Sequence, residues 1–180
     1  MASLILITGG SRSGKSAFAQ QLAEEIKGVR LFVATCPYTD PEMAERIRRH
    51  RQDRQGRGWQ SIEEPVRLAQ CLTENVTAAT VLIDCLTLWV NNLMFAAQQQ
   101  QQEITEDQVE ELAEQLGQAA RMHKGTVIMV TNEVGLGIVP NNPQTRRYRD
   151  LVGRCNQVIA RAADQVFLVS CGLPLQIKQT

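Results

Sequence analysis

The sequence predicts an α/β fold, a mostly parallel sheet covered by helices on both faces. Three observations predict it. Short apolar runs alternate along the chain with stretches of helical spacing. The runs are apolar at successive positions, as in strands buried on both faces. The first of them ends in a glycine-rich turn. With 180 residues, at roughly 150 per domain, residues 1–180 read as one domain.

Each element has its own reason. Ser3–Thr8 is an apolar, β-rich run that stops at glycines. Lys15–Ile26 carries Phe18, Leu22 and Ile26 at a four-residue helical step. Val29–Ala34 is a second buried strand. Asp40, Pro41 and Glu42 open a helix, because proline is tolerated at the first helical position. This basic helix covers about 41–54 and reaches Arg51 before Gly56 and Gly58 loosen the chain. Val66–Val76 is an amphipathic helix, and Thr80–Asp84 a short strand ending in an acid. Leu86–Ala97 is apolar almost all round, which predicts a buried helix. A glutamine stretch, Gln98–Gln102, leads to Thr105 and Gln108, the pattern of a capping box. The helix that follows sets Val109, Leu112, Leu116 and Ala119 or Ala120 on one face. Thr126–Thr131 is a strand, 132–142 a loop and about 144–162 a helix. Val166–Val169 and Leu175–Lys178 close the chain as strands, an antiparallel hairpin through Gly172 and Pro174. In such sheets ligands bind outside the carboxyl ends of the strands. The segments after Thr8, Ala34, Asp84 and Thr131 therefore matter most.

Composition excludes several classes. The chain is 43% hydrophobic, enough for a core without disulfide or metal staples. Lys+Arg and Asp+Glu are 19 each, so the net charge is zero and a globally basic nucleic-acid coat is excluded. No apolar run approaches the length of about 18 residues that reads as a membrane span. The first residues, MASLILITGG, lack a basic n-region and read as a strand rather than a secretion signal. Cys36, Cys71, Cys85, Cys155 and Cys171 show no CxxC spacing and fit reduced thiols in a cytoplasmic protein, most of them buried filler.

Gly9-Gly10-Ser11-Arg12-Ser13-Gly14-Lys15-Ser16 matches G-x-x-x-x-G-K-[ST] between a strand and a helix. Successive backbone N–H groups of such a loop curl around phosphate oxygens, and the following helix presents its positive end. Lys15 reaches the outer phosphates, and the Ser16 hydroxyl suits Mg²⁺. Asp84 is either a second support for that ion's water shell or an N-cap for the helix from Leu86. No Asn-Lys-x-Asp element follows, which disfavours a regulatory GTPase.

Between Arg46 and Arg54 the chain places five arginines around His50, and Arg57 adds another. Arg46, His50 and Arg54 share one helical face. Among like charges the imidazole is held neutral, and a neutral ring nitrogen is a nucleophile towards phosphorus. The plain alternative is a solvated basic face with an incidental histidine. A nucleic-acid patch is disfavoured, because aromatics for base stacking are only 4% of the chain. His123 closes a helix, where a cation suits the dipole and a structural role is expected.

Several segments together resemble the bifunctional adenosylcobinamide kinase/adenosylcobinamide-phosphate guanylyltransferase family of cobalamin assembly. They are ITGGSRSGKS (Ile7–Ser16), VAT (Val33–Thr35), PEMAERIRRHR (Pro41–Arg51), Trp59 with Glu63, DCLTLWVNNL (Asp84–Leu93), TNEVGLGIVP (Thr131–Pro140) and RRYRDLVGRCNQ (Arg146–Gln157). The resemblance implies a RecA-like P-loop sheet and two reactions. ATP or GTP would phosphorylate the aminopropanol hydroxyl of adenosylcobinamide. GMP from GTP would then pass to that phosphate through a covalent GMP–histidine at the position of His50, giving adenosylcobinamide-GDP. It also implies nucleotide contacts from Gly9, Gly10, Ser11, Arg12, Ser13, Gly14, Lys15 and Ser16. Further contacts would come from Ala34, Thr35 and Cys36, from Arg51, Gln52, Asp53 and Arg54, and from Glu63 and Asp84. Ser16 and Asp84 would serve the metal. A homotrimer, in which one subunit's arginine helix completes a neighbour's site, is implied as well. Arg146, Arg147 and Arg149 either bind phosphate or line a subunit interface. Two other functions compete. An ordinary small-metabolite P-loop kinase would transfer only the γ-phosphate, with no covalent adduct. A nucleotide-gated regulatory module would bind a macromolecular partner and give no small-molecule product.

Overall fold

The computed structural model describes residues 3–36, 48, 52 and 54–179. The strands are β1 (Ser3–Gly9), β2 (Arg30–Ala34), β3 (Trp59–Glu63), β4 (Thr80–Asp84), β5 (Thr126–Val130), β6 (Gln165–Ser170) and β7 (Leu173–Gln179). The helices are α1 (Lys15–Glu25), α2 (Leu68–Glu74), α3 (Leu86–Gln99), α4 (Glu106–Met122) and α5 (Pro143–Ala162). The strands form one sheet in the order β3-β2-β4-β5-β1-β6-β7. All pairings are parallel except β6 with β7.

The continuous apolar runs are explained by a sheet buried on both sides. Pleating sends Ile5 and Ile7 to one face, where they meet Ala19 and Ala23 of α1 along with Phe32, Leu82, Ile128 and Val130. Leu4 and Leu6 point the other way, into a core with Val33, Ile83, Met129 and the buried sides of α2–α5. The capping box at the start of α4 forms as the sequence predicts. Thr105 Oγ1 accepts from the Gln108 N–H, and Gln108 Oε1 accepts from the Thr105 N–H.

Four expectations need correction or sharpening. β3 has no counterpart in the sequence reading. It is an edge strand whose Gln60, Ser61 and Glu63 are exposed, so it lacks the apolar run that marks its neighbours. The helix expected over Val66–Val76 is confined to Leu68–Glu74, because Glu64 accepts from the N–H groups of Val66 and Arg67 ahead of it. α3 is not buried all round. Trp89, Val90 and Leu93 face the core, while Phe95 is 60% exposed. His123 is structural but not as a helix-end cation. Its Nδ1 accepts from the Gly125 N–H at 3.0 Å and its Nε2–H donates to the Asn75 carbonyl at 3.1 Å, which is the neutral tautomer.

The cysteines are free thiols. Burial pushes Cys71 and Cys85 up to about 11 and Cys155 up to about 12, so these three are inert filler. Cys171 is exposed.

Candidate active site

The register aligns the carboxyl ends of the parallel strands. Ala34 pairs with Asp84 and with Glu63, Asp84 with Val130, Val130 with Ile7, and Gly9 with Val169. The segments singled out in the sequence therefore share one edge of the sheet. The Gly9–Ser16 loop rises from β1 at that edge and turns into α1.

Two glycines make the loop possible. A Cβ on Gly9 would lie 2.3 Å from the Val169 carbonyl oxygen, so no other residue fits against β6. Gly14 caps α1 in the left-handed region, φ 95°, which glycine adopts without steric cost. Having no side chain, it leaves the positive end of α1 without a side-chain cap. The β6–β7 turn buttresses the loop from outside. Gly172 N–H donates to the Ser13 carbonyl at 2.8 Å, and a Cβ on Gly14 would meet Gly172 Cα at 3.1 Å.

Lys15 is buried, and its ammonium donates to the Gly10 carbonyl at 2.8 Å, across the loop. Burial lowers its pKa, and the nearby Asp84 carboxylate opposes that shift. The hydroxyls of Thr8 and Ser13 are buried at the loop with no hydrogen-bond partner among the described residues. Successive N–H groups, a desolvated cation and unpartnered hydroxyls make an anion cradle.

The remaining predicted residues fall in different places. Asp84 ends β4 and is half-buried. Thr35 is fully buried. Its hydroxyl donates to the Cys85 carbonyl and accepts from the Cys85 N–H, both at 2.8 Å, which holds the β4–α3 turn. Ala34 and Cys36, both half-buried, are the accessible members of that trio. Glu63 is exposed at the end of β3, and Arg48 and Gln52 are exposed. Arg54 is buried, its guanidinium stacked 3.5 Å over the Phe32 ring on the α1 face of the sheet. His50, Arg51 and Asp53, along with Arg46, lie outside the described residues.

The sequence points to the segment after Thr131, with Glu133 and the 135–139 loop, as a place for a ligand, but not to the hydrogen-bond network built there. Thr131 Oγ1 donates to Asn156 Oδ1, Asn156 Nδ2 to the Asn132 carbonyl, and Asn132 Nδ2 to Thr87 Oγ1. Tyr148 adds a bond to the Thr87 carbonyl. This network ties α5 and α3 to the end of β5. Its signal was visible as polar residues directly after an apolar strand. Within this chain the α5 arginines act as internal braces. Arg146 donates to the carbonyls of Pro140 and Asn141, and Arg149 to those of Gly135, Gly137 and Ile138. Arg147 binds the Glu103 carboxylate and the Ile104 carbonyl.

Comparison with known proteins agrees with this architecture. A KaiC-like protein from the hyperthermophilic archaeon Pyrococcus horikoshii superposes with a TM-score of 0.55 at 17% identity, over 93% of this chain and 70% of that one, a likeness of fold alone. The bifunctional adenosylcobalamin biosynthesis protein CobP of Pseudomonas aeruginosa is 40% identical over 96% of both chains. The protein CobU of Salmonella typhimurium, which carries the same description, is 38% identical over 97% of this chain and 99% of its own. The Escherichia coli CobU is 37% identical over the same shares. The family model described as cobinamide kinase / cobinamide phosphate guanyltransferase matches residues 5–177. With nearly its whole length matched, and a phosphate-binding loop at the head of the sheet, the chain belongs to the cobinamide kinase / cobinamide phosphate guanyltransferase family.

Proposed function

We propose that this protein phosphorylates adenosylcobinamide and then converts the product to adenosylcobinamide-GDP, through a guanylylated His50. The observation that carries the reading is the Gly9–Ser16 cradle, with Lys15 buried inside it and Asp84 facing that lysine, in a chain of this family. A triphosphate in the cradle takes over the ammonium that Gly10 now holds. In the first reaction the aminopropanol hydroxyl attacks the γ-phosphorus of ATP or GTP and the nucleoside diphosphate leaves. In the second, a neutral His50 nitrogen attacks the α-phosphorus of GTP and pyrophosphate leaves. The cobinamide phosphate then attacks the same phosphorus and releases the histidine. Arg46 and Arg51 would stabilise the charge on the attacked phosphate.

Ser16 and Asp84 offer a hydroxyl and a carboxylate, hard oxygen donors that suit Mg²⁺. No group of three or more metal-ligating side chains occurs among the described residues, which fits an ion completed by phosphate and water. When bound, the ion would supply charge neutralisation on the phosphate oxygens. The free thiols fit a cytoplasmic protein, and no helix among the described residues is long and apolar enough to cross a membrane. A homotrimer would bury apolar surface such as Leu173, Leu175 and Ile177, which β7 exposes.

Incubation with α-labelled GTP tests the reading. Label should be retained on the protein, be released by acid, and pass to adenosylcobinamide phosphate on its addition. His50→Ala should abolish the label while leaving γ-phosphate transfer. An unlabelled wild-type protein, or an equally labelled variant, would refute the guanylylated intermediate. A γ-transferring, unlabelled protein would be the simple kinase.

A further inference from the structure

The phosphoryl-transfer step needs a group that takes the proton of the attacking hydroxyl, and a carboxylate near the γ-phosphate is the usual one. Four carboxylates lie at or just beyond the carboxyl ends of the parallel strands among the described residues: Glu63, Glu64, Asp84 and Glu133. Glu64 is committed to the N–H groups of Val66 and Arg67, at 2.9 and 2.7 Å. Glu63 ends the edge strand, with β2, β4 and β5 between it and β1. Asp84 faces Lys15 and is the carboxylate suited to the metal.

Glu133 is placed differently. Its N–H donates to the Gly9 carbonyl at 3.0 Å, so its side chain starts beside the first residue of the phosphate loop. The residue is half-buried. Among the described residues, one carboxylate oxygen accepts only a long bond from the Gly135 N–H, at 3.3 Å, and the other has no hydrogen-bond partner. The segment beyond it is fixed from behind. Arg149 holds the carbonyls of Gly135 and Ile138 at 2.8 Å each. Leu136, Ile138 and Val139 are nevertheless 82%, 95% and 66% exposed. A braced loop with bare apolar side chains next to an uncommitted carboxylate suits an acceptor that brings a hydroxyl on a large apolar body.

We infer that Glu133 accepts the proton of the acceptor hydroxyl in phosphoryl transfer, and that the 135–139 loop carries the acceptor's apolar face. This rests on the two-reaction reading above. As the hydroxyl oxygen forms its bond to the γ-phosphorus, the bond from that phosphorus to the β,γ-bridging oxygen breaks. The nucleoside diphosphate leaves, and the proton moves to Glu133 and from there to water. Guanylylation of a histidine involves no such hydroxyl, so Glu133 has no part in it.

The two reactions of the same protein supply the test. Glu133→Gln is expected to lower kcat for phosphorylation of adenosylcobinamide about 100-fold, the scale of a lost general base. The KM for ATP should stay unchanged, and α-labelled GTP should label the variant as fully as the wild type. Glu133→Asp should recover part of the rate. A Gln variant with phosphorylation within threefold of wild type would overturn the assignment. So would parallel loss of both reactions, which marks a merely structural residue. If the wild type phosphorylates cobinamide yet takes no label, the histidine intermediate fails while the assignment stands or falls on kcat alone.

Discussion

Lys15→Ala is expected to slow phosphoryl transfer and guanylylation together, each about 10³-fold, or roughly 4 kcal/mol of transition-state stabilisation. On the proposed function both reactions use one triphosphate site, and Lys15 is the buried cation of the loop that would hold it. Burial disfavours the ammonium in the unliganded protein, and the carboxylate of Asp84 only partly offsets that cost. A triphosphate removes it by supplying the missing counter-charge. The same argument predicts a binding signature separate from rate. At a nucleotide concentration of about 100 Kd the wild type gains about 2.7 kcal/mol. For a chain of this size that corresponds to a rise in Tm of roughly 5–10 °C. Lys15→Ala should show little of that rise while keeping its unliganded Tm. Stopped assays of each half-reaction with a thermal melt measure all of this. Loss of one reaction alone would contradict a shared cradle.

The second large effect is on stability. Trp89 is 2% exposed and is the largest fully buried side chain among the described residues. Its indole N–H donates to the Val66 carbonyl at 2.8 Å. One turn on, Asn92 donates to the carbonyls of Thr35 and Pro65 at 2.7 and 2.9 Å. This side of α3 therefore both fills the core and ties the ends of β2 and β3 together. Trp89→Ala should cost about 3–5 kcal/mol, through lost burial, a cavity and an orphaned carbonyl. Trp89→Phe, which keeps most of the volume, should cost less than half as much. Urea unfolding of the three proteins reads the difference. Because Ala34 and Cys36 flank the tethered Thr35, the alanine variant should also raise the KM for nucleotide.

The parts legible in the sequence are those whose cause is local. Glycines spaced around Lys15 announce a phosphate loop because the backbone must approach an anion, and Thr105 with Gln108 announces a helix start because the cap is formed within one turn. Strands buried on both faces are legible because their central positions are all apolar. β3 was hidden for the opposite reason. Only Trp59 and Ile62 of that strand are even half-buried, and its partner β2 is distant in sequence. Non-local bonds were equally hidden. Nothing in the spelling of Arg146 or Arg149 says that the guanidinium will turn back onto loop carbonyls rather than towards phosphate. Helical spacing sets Arg54 on one face with Arg46 and His50 and the resemblance makes it a nucleotide contact, while its stacking on Phe32 is a contact that local spacing does not announce. The site was read as a set of strand ends, and the register puts them on one edge. The charged company of His50 suggests only a neutral, nucleophilic imidazole; its role as GMP carrier is implied by the family resemblance and is what the labelling experiment tests.

The bond from Gly172 to Ser13 joins the earliest loop of the chain to a turn near residue 170. On the ribosome, the glycine-rich segment emerges long before the strand pair that will prop it. A nascent polypeptide lacking β6 and β7 has the whole glycine-rich motif without its outer wall. The phosphate loop therefore gains its outer support only once the last strand pair has been synthesised and β6 has paired with β1.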